Sequence, residues 1–293
     1  MFMQALGFGI ITASILAIGA VGFTTQFGVT NILNLAYGDV MTASAFAAYV
    51  ATSNGLNPWW GLVLGGIFGS IFSFALNRVV YTPFIRRGSK LFVMIIITIA
   101  VSLIVQNMMQ VIWGPEFYSI HVDSGSTIHF LGMVFTTSQL IIVLIAGLAL
   151  VALHSLLRFT RIGKAMRATA SDAELARNCG IQTKRVIDLA WLMSGLLCGV
   201  AGVALVMELG SFQSTTGGAF LVPIIAAAVL GGVGQIYGAM LGGLIIGITT
   251  ELAAVYINPE YKDVVAFVVL IVVLLIRPQG ILSEVASQKE VAA

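Results

Sequence analysis

Residues 158–185, RFTRIGKAMRATASDAELARNCGIQTKR, are the stretch from which the fold of this chain can be read. They hold Arg158, Arg161, Lys164, Arg167, Arg177, Lys184 and Arg185, which are seven of the 14 Lys and Arg in the protein. Apolar sequence flanks them on both sides. Lys and Arg resist translocation, so a cation-rich segment between two apolar spans stays on the cytoplasmic face of a membrane. Within it, ASDAELARNCG (170–180) predicts a short helix. Ser171 or Asp172 can cap it, Glu174 suits its positive end, and Gly180 suits the left-handed position that closes a helix. A short capped helix on a loop is a rigid knob. A plain basic loop would account for Arg158, Arg161 and Lys164, but not for caps at both ends.

Composition agrees with a membrane solvent. The chain has 293 residues, 59% hydrophobic and 9% charged, with mean hydropathy +1.03. Soluble domains carry about 25% charged residues, and a chain this poor in charge has too little polar surface to face water. Before Arg78 the one formally charged side chain is Asp39. Apolar stretches near 4–25, 35–52, 60–80, 91–112, 138–157, 186–208, 236–256 and 263–277 read as spanning helices. A shorter one, 219–234, is interrupted by Pro223, Gly231, Gly232 and Gly234. The N-terminal 23 residues have no basic n-region and read as a first span. The predicted fold is an all-α polytopic helix bundle of eight or nine spans, with discontinuous helices.

The cations set the orientation. Loop 81–90 carries Arg86, Arg87 and Lys90 and is placed inside; 113–137 has no Lys or Arg but has Glu116, His121, Asp123 and His129, and is placed outside. Trp59 and Trp60 suit an outer interface belt. Arg277 and the tail SEVASQKEVAA point inward. Lys262 is the one cation on the wrong side, between Glu260 and Asp263. If 219–234 crosses, the N-terminus lies outside. The basic loop sits against membrane and lacks interleaved aromatics, so nucleic-acid binding is not expected. No phosphate-binding G-x-x-x-x-G-K-[ST], zinc-ligand spacing or serine elbow occurs, which leaves an enzyme reading without support. Cys179 in the loop and Cys198 in a span are read as unpaired.

Two regions break the apolar pattern. FGVTNILNLAYGDVMTASAFAAY (27–49) is interrupted by Asn31, Asn34, Tyr37, Gly38 and Asp39; PIIAAAVLGGVGQIYGAMLGGLIIG (223–247) is interrupted by Gly231, Gly232, Gly234, Gln235 and Gly238. Each half of the chain thus has a Tyr-Gly followed by a small-residue helix. Unwound backbone at membrane depth is tolerated where protein or a water-filled cavity covers it, and paired interruptions point to a transport path built on internal repeats. The bland alternative is a pair of interfacial turns. Gln106, Asn107 and Gln110 add polar groups on the fourth span, and Glu208 and Glu251 lie near span ends, where a carboxylate costs little. Small residues four apart (Gly61, Gly65, Gly69; Gly195, Gly199; Gly243, Gly247) read as helix-packing stripes.

Glu174-Leu175-Ala176-Arg177-Asn178-Cys179-Gly180 resembles the E-A-A-x-x-x-G loop by which ABC importer permeases engage their ATPases, with Leu175 in place of the first Ala and without the downstream Ile-x-Leu-Pro. With AVLGGVGQIYGAMLGGLIIGITTE, LLIRPQGIL and NILNLAYGDVMTASAF, the chain from about 27 to 282 resembles the permease subunit of the branched-chain amino acid ABC importer. The resemblance implies a single transmembrane permease domain, 1–293, with pseudo-twofold repeats and a coupling loop, 158–185. It implies two ATPase subunits that bind ATP and Mg, this chain holding no cofactor of its own. It also implies a second homologous permease, an external solute-binding protein and a bacterial inner membrane. Arg161, Lys164, Arg167, Asp172, Glu174, Arg177 and Gly180 are the expected coupling residues. Asn31, Asn34, Tyr37, Asp39, Gln106, Gln110, Gly231, Gly232 and Gln235 are the expected path residues. Related permeases carry urea or short amides. An ion-coupled secondary transporter, using Asp39, Glu208 or Glu251, and a passive channel for a small neutral solute are the competing readings.

Overall fold

The computed structural model describes residues 2–122, 125–130, 133–277 and 280–282. Asp123 and the C-terminal tail fall outside them. Helix α1 (Phe2–Thr30) is followed by α2 (Tyr37–Ser53) and α3 (Pro58–Leu76), which continues through a π-helical turn into α4 (Thr82–Arg86). Then come α5 (Leu91–Trp113), the hairpin strands β1 (Thr127–Phe130) and β2 (Met133–Thr136), and α6 (Thr137–Phe159). Helices α7 (Arg161–Ser171) and α8 (Ala173–Asn178) precede α9 (Thr183–Leu209), α10 (Thr216–Gly231), α11 (Ile236–Tyr256) and α12 (Lys262–Ile276).

Every stretch marked in the sequence is helical. Among the described residues six helices are long and apolar enough to cross a membrane: α1, α3 with its extension to Arg86, α5, α6, α9 and α11. Helices α2, α10 and α12 have 17, 16 and 15 residues. At 1.5 Å per residue a 16-residue helix is about 24 Å long, less than the roughly 30 Å of bilayer hydrocarbon. Two expectations change. The third span does not stop at 80: the turn Asn77–Tyr81 is π-helical, with Thr82 N–H donating to Asn77 O. That shifted register accepts Pro83, which lacks an N–H and would clash in a regular turn. And the segment 113–137 holds a two-stranded antiparallel hairpin, with Thr127 opposite Thr136, so the chain is not wholly helical.

Helices α1 and α9 form the centre. Both are apolar around their whole circumference, and both are largely buried, as such helices must be. They cross antiparallel: Gly19 lies against Ala201, and Gly22 against Leu197 and Ser194. Helix α11 runs antiparallel along α1, with Gly247 on Ala13 and Gly243 on Ala17. Helix α3 runs antiparallel along α9 in the same manner, with Gly69 on Gly195 and Gly65 facing Val203. Six residues (31–36) join α1 to α2 and six (210–215) join α9 to α10; four (54–57) join α2 to α3 and four (232–235) join α10 to α11. Gly38 in α2 and Gly217 in α10 touch each other reciprocally, each the nearest backbone to the other's missing Cβ.

These approaches leave no room for a side chain. A Cβ on Gly199 would collide with the Gly65 carbonyl oxygen. The obstacle is backbone, so Gly199→Val must force α3 and α9 apart, at a cost of at least about 1–3 kcal/mol for overpacking. By contrast Gly147, helical and exposed on α6, has open space where a Cβ would stand, and Gly147→Ala should be neutral or stabilise by about 0.4–1 kcal/mol. Thermal unfolding of the detergent-solubilised protein is expected to show a large drop for the first and none for the second.

Candidate functional site

The basic segment folds into two helices, not one. Residues 170 and 171 finish α7, and Asp172 alone caps α8: its Oδ1 accepts from the N–H groups of Glu174 and Leu175, both at 2.9 Å. At the other end Gly180 has φ +85°. Its N–H donates to Arg177 O at 3.0 Å, and the Ile181 N–H donates to Ala176 O at 3.0 Å. These are the paired bonds of a Schellman stop, for which a left-handed glycine is required. Helix α8 buries only Ala176, leaving Glu174, Arg177 and a 60%-exposed Leu175 facing out. Helix α7 buries Gly163, Met166 and Thr169 and turns Arg161, Lys164 and Arg167 outward, three residues apart on one face. Gly163 sits directly on the Leu157 backbone, which holds α7 tightly to the end of α6. Leu175 is the docking candidate that the sequence did not single out; an apolar residue among polar neighbours between two caps was the available signal.

The same end of the bundle carries a cavity of about 580 Å³ lined by Arg78, Arg86, Arg177, Lys184, Arg185 and Asp188. Arg78 Nη1 is 2.9 Å from Asp188 Oδ2, and Asn77 Nδ2 donates to Asp188 Oδ1 at 3.2 Å. This ties the foot of α3 to the foot of α9.

The break between α1 and α2 is a knot of buried polar groups. Asn31 has φ +54°, the one non-glycine residue in the left-handed region among the described residues. Asn34 is buried; its Oδ1 accepts from the Tyr81 hydroxyl at 3.1 Å and from Ala36 N–H at 3.2 Å, and its Nδ2 donates to Gln26 Oε1 at 3.4 Å. Gln26 Oε1 also accepts from Ser194 Oγ at 3.3 Å. Tyr81 stacks on Trp191, with ring centroids 5.0 Å apart. The Tyr37 hydroxyl donates to Gly19 O at 3.0 Å. Asp39 is buried in α2 and accepts from Ser102 Oγ of α5 at 2.5 Å. Thr98, one turn before Ser102, donates to Leu33 O at 3.1 Å. The unwound segment is therefore held by α1 through Gln26, by the π-helical turn through Tyr81 and by α5 through Thr98, with α9 bonded to Gln26 behind it. Gln26, Tyr81, Ser194 and Ser102 escaped the sequence reading because single hydroxyls and amides are common in spans and their partners are distant in sequence.

The remaining path candidates fall elsewhere. Gln106 is half-buried and Gln110 exposed, one and two turns beyond Ser102 on α5. Gly231 and Gly232 are buried at the α10–α11 turn, where Gly231 abuts the Gly238 backbone and Gly232 abuts Gly280. Ile281 and Leu282 N–H groups cap the end of α10 through Leu230 O and Gly231 O. Gln235 is partly exposed beside them. The second interruption is a glycine turn, and it lies against the end of α1 through Gly28 and Gly234. Both Tyr-Gly dipeptides stand in the first turn of a helix, Tyr37 opening α2 and Tyr237 second in α11. The join of α9 to α10, 210–215, has the same length as 31–36. Both cysteines are free, with Cys198 Sγ 3.2 Å from Tyr37 O.

Fold and site together define a mainly helical polytopic membrane protein with a rigid, doubly capped knuckle at its basic end. The sequence family described as the permease component of the branched-chain amino acid transport system covers residues 5–274. The chain belongs to that family. It is 34% identical to the high-affinity branched-chain amino acid transport system permease protein LivH of Salmonella typhimurium, over 98% of this chain and 97% of that one. It is 32% identical to the BraD permease of Pseudomonas aeruginosa, over 98% of each. Solved structures share the fold at low identity. PsaBC of Streptococcus pneumoniae in complex with Fab superposes with TM-score 0.51 at 14% identity, covering 94% of this chain and 93% of that one. A transporter described as of metal-chelate ABC type, in an inward-facing conformation, gives 0.53 at 16%, covering 92% and 85%.

Asn34→Leu removes the acceptor of the buried Tyr81 hydroxyl and the partner of Gln26. Each orphaned group costs about 1–3 kcal/mol, so a clear fall in the unfolding temperature of the solubilised protein is expected. Gln110→Ala, at an exposed position, should change the stability by no more than about 0.5 kcal/mol and leave that temperature nearly unmoved.

Proposed function

We propose that this chain is the membrane-spanning permease of an ATP-binding cassette importer that carries branched-chain amino acids inward. The observation that supports it most is the α7–α8 knuckle: the resembling importer loop falls on a helix fixed at both ends and exposed on nearly every side. A stiff element on a basic face suits a moving soluble partner. In this reading two ATPase subunits bind ATP and Mg, and the groove of one receives α8. Arg161, Lys164, Arg167 and Arg177 meet acidic ATPase residues around Leu175 and Glu174, while Asp172 and Gly180 keep the helix stiff. A second homologous permease and an external solute-binding protein complete the assembly in a bacterial inner membrane.

Nine crossings follow if α2, α10 and α12 pass between faces, with the N-terminus outside and the basic end inside. Helices α1–α2–α3 and α9–α10–α11 then form an inverted repeat. Equal joins of six and four residues support it, as do the antiparallel α1–α9 crossing and the reciprocal Gly38–Gly217 contact. An inverted repeat offers two related packings, which alternating access needs. The substrate passage runs along the α5 edge past Asn31, Gln106 and Gln110. Asn34, Tyr37 and Asp39 hold the break in shape behind it, and Gly231, Gly232 and Gln235 shape the turn that closes the bundle's inner end.

The test uses the assembled complex in proteoliposomes. Gly180→Val places a branched side chain at φ +85°, and Glu174→Lys reverses charge on the exposed face of α8. Both variants should assemble and unfold at the wild-type temperature, yet lose at least tenfold in leucine uptake and in substrate-stimulated ATP hydrolysis. Uptake by the permease alone, without ATPases, would sink the reading.

A further inference from the structure

The transport reading leaves Glu208, Glu251, Lys262 and Asp263 unused, Lys262 being the cation on the cation-poor side. The fold gathers them around one cavity of about 550 Å³, set between α1, α9, α10, α11 and the start of α12, at the end opposite the knuckle. Lys262 Nζ donates to Glu251 Oε1 at 2.7 Å, and the same oxygen accepts from Thr12 Oγ1 at 2.9 Å. This pairing explains why Lys262 is tolerated there. Gln139 Nε2 donates to Glu208 Oε1 at 3.1 Å. Glu208 keeps a second oxygen and Lys262 two further N–H groups. Asp263 also lines the space, so carboxylates outnumber the ammonium. Between these charged groups the wall is apolar: Phe8, Ile15, Leu16, Leu205 and Phe220. Helix α10 starts on the same cavity at Thr215 and Thr216 without a side-chain cap, which adds a positive helix end near Lys262.

Charged groups of both signs around an apolar hollow discriminate sharply. A hydrocarbon would leave the free oxygen of Glu208 and the free N–H groups of Lys262 desolvated without partners. A simple anion would meet the carboxylate excess, and a simple cation would leave the two further N–H groups of Lys262 and the α10 end without an acceptor. We propose that this cavity is a binding site within a single subunit for a zwitterion with an apolar body. The ligand's ammonium sits at Glu208, its acidic group sits at Lys262 and the start of α10, and its body lies against Leu16 and Phe220. A free apolar α-amino acid and a phosphatidylethanolamine headgroup share this chemistry. The amino-acid source rests on the transport reading above and gives it a holding point at the outer mouth.

The experiment measures saturable binding of tritiated L-leucine to the assembled complex in phosphatidylcholine nanodiscs without binding protein. Glu208→Gln keeps the size and the contact to Gln139, and Phe220→Trp fills the hollow without touching a charge. Each should weaken binding at least tenfold, and isovalerate and isoamylamine, each lacking one charge, should not compete. Co-purification of the ATPases shows that both variants are assembled. Unchanged leucine affinity in both variants overturns the proposal. So does absence of binding by a wild-type complex that still takes up leucine when binding protein is added. Repeating the assay with phosphatidylethanolamine separates the sources: if that lipid, and not leucine, occupies the cavity in a Glu208-dependent way, the amino-acid assignment falls and the lipid one stands. If the complete wild-type system takes up no leucine, the transport reading has failed, and the phosphatidylethanolamine arm decides the cavity by itself.

Discussion

The bundle depends on backbone-to-backbone contact at glycine. In lipid, apolar side chains gain nothing by leaving their solvent, so helices associate through close packing and the bonds it permits. Here Gly69 and Gly195, Gly199 and Gly65, and Gly247 and Ala13 bring two helix pairs to the limit set by their backbone atoms. Contact at that distance is short-ranged and steep. It rigidifies α1 with α11 and α9 with α3 as two paired bodies, and leaves the thinner helices α2 and α10 wedged between them, meeting each other at Gly38 and Gly217.

The polar groups are placed where the blocks meet. Asn34, Tyr81, Gln26 and Ser194 bind the end of α1 to the foot of α3 and to α9, and Ser102 reaches Asp39 across from α5. Buried polar groups are expensive unless bonded, so each such contact fixes one arrangement of its neighbours. The Arg78–Asp188 pair repeats this at the basic end, next to the cavity that borders α8. A push on the knuckle therefore has short, stiff routes into the bundle: α7 rests on the last turn of α6 through Gly163, and Ile181 and Thr183 lead straight into α9.

The sequence by itself determined the class. Its shortage of charge and its long apolar stretches made a membrane bundle unavoidable, and the cations fixed which loops share a face. It also determined the knuckle, because caps are local: Asp172 and Gly180 act within a few residues of themselves, so their meaning is visible in order along the chain. The tertiary structure decided whatever depends on partners far apart in sequence. The matching Tyr-Gly pairs at 37–38 and 237–238 both stand in the first turn of a helix, α2 and α11, yet the join before the first is an unwound segment bonded to buried polar groups and the join before the second is a glycine turn packed on Gly280. No local signal separates them, since the difference lies in Tyr81, Ser194 and Ser102 on one side and in Gly280 to Leu282 on the other. The same holds for Lys262, which breaks the charge rule in one dimension and is answered in three by Glu251, 11 residues away on the neighbouring helix.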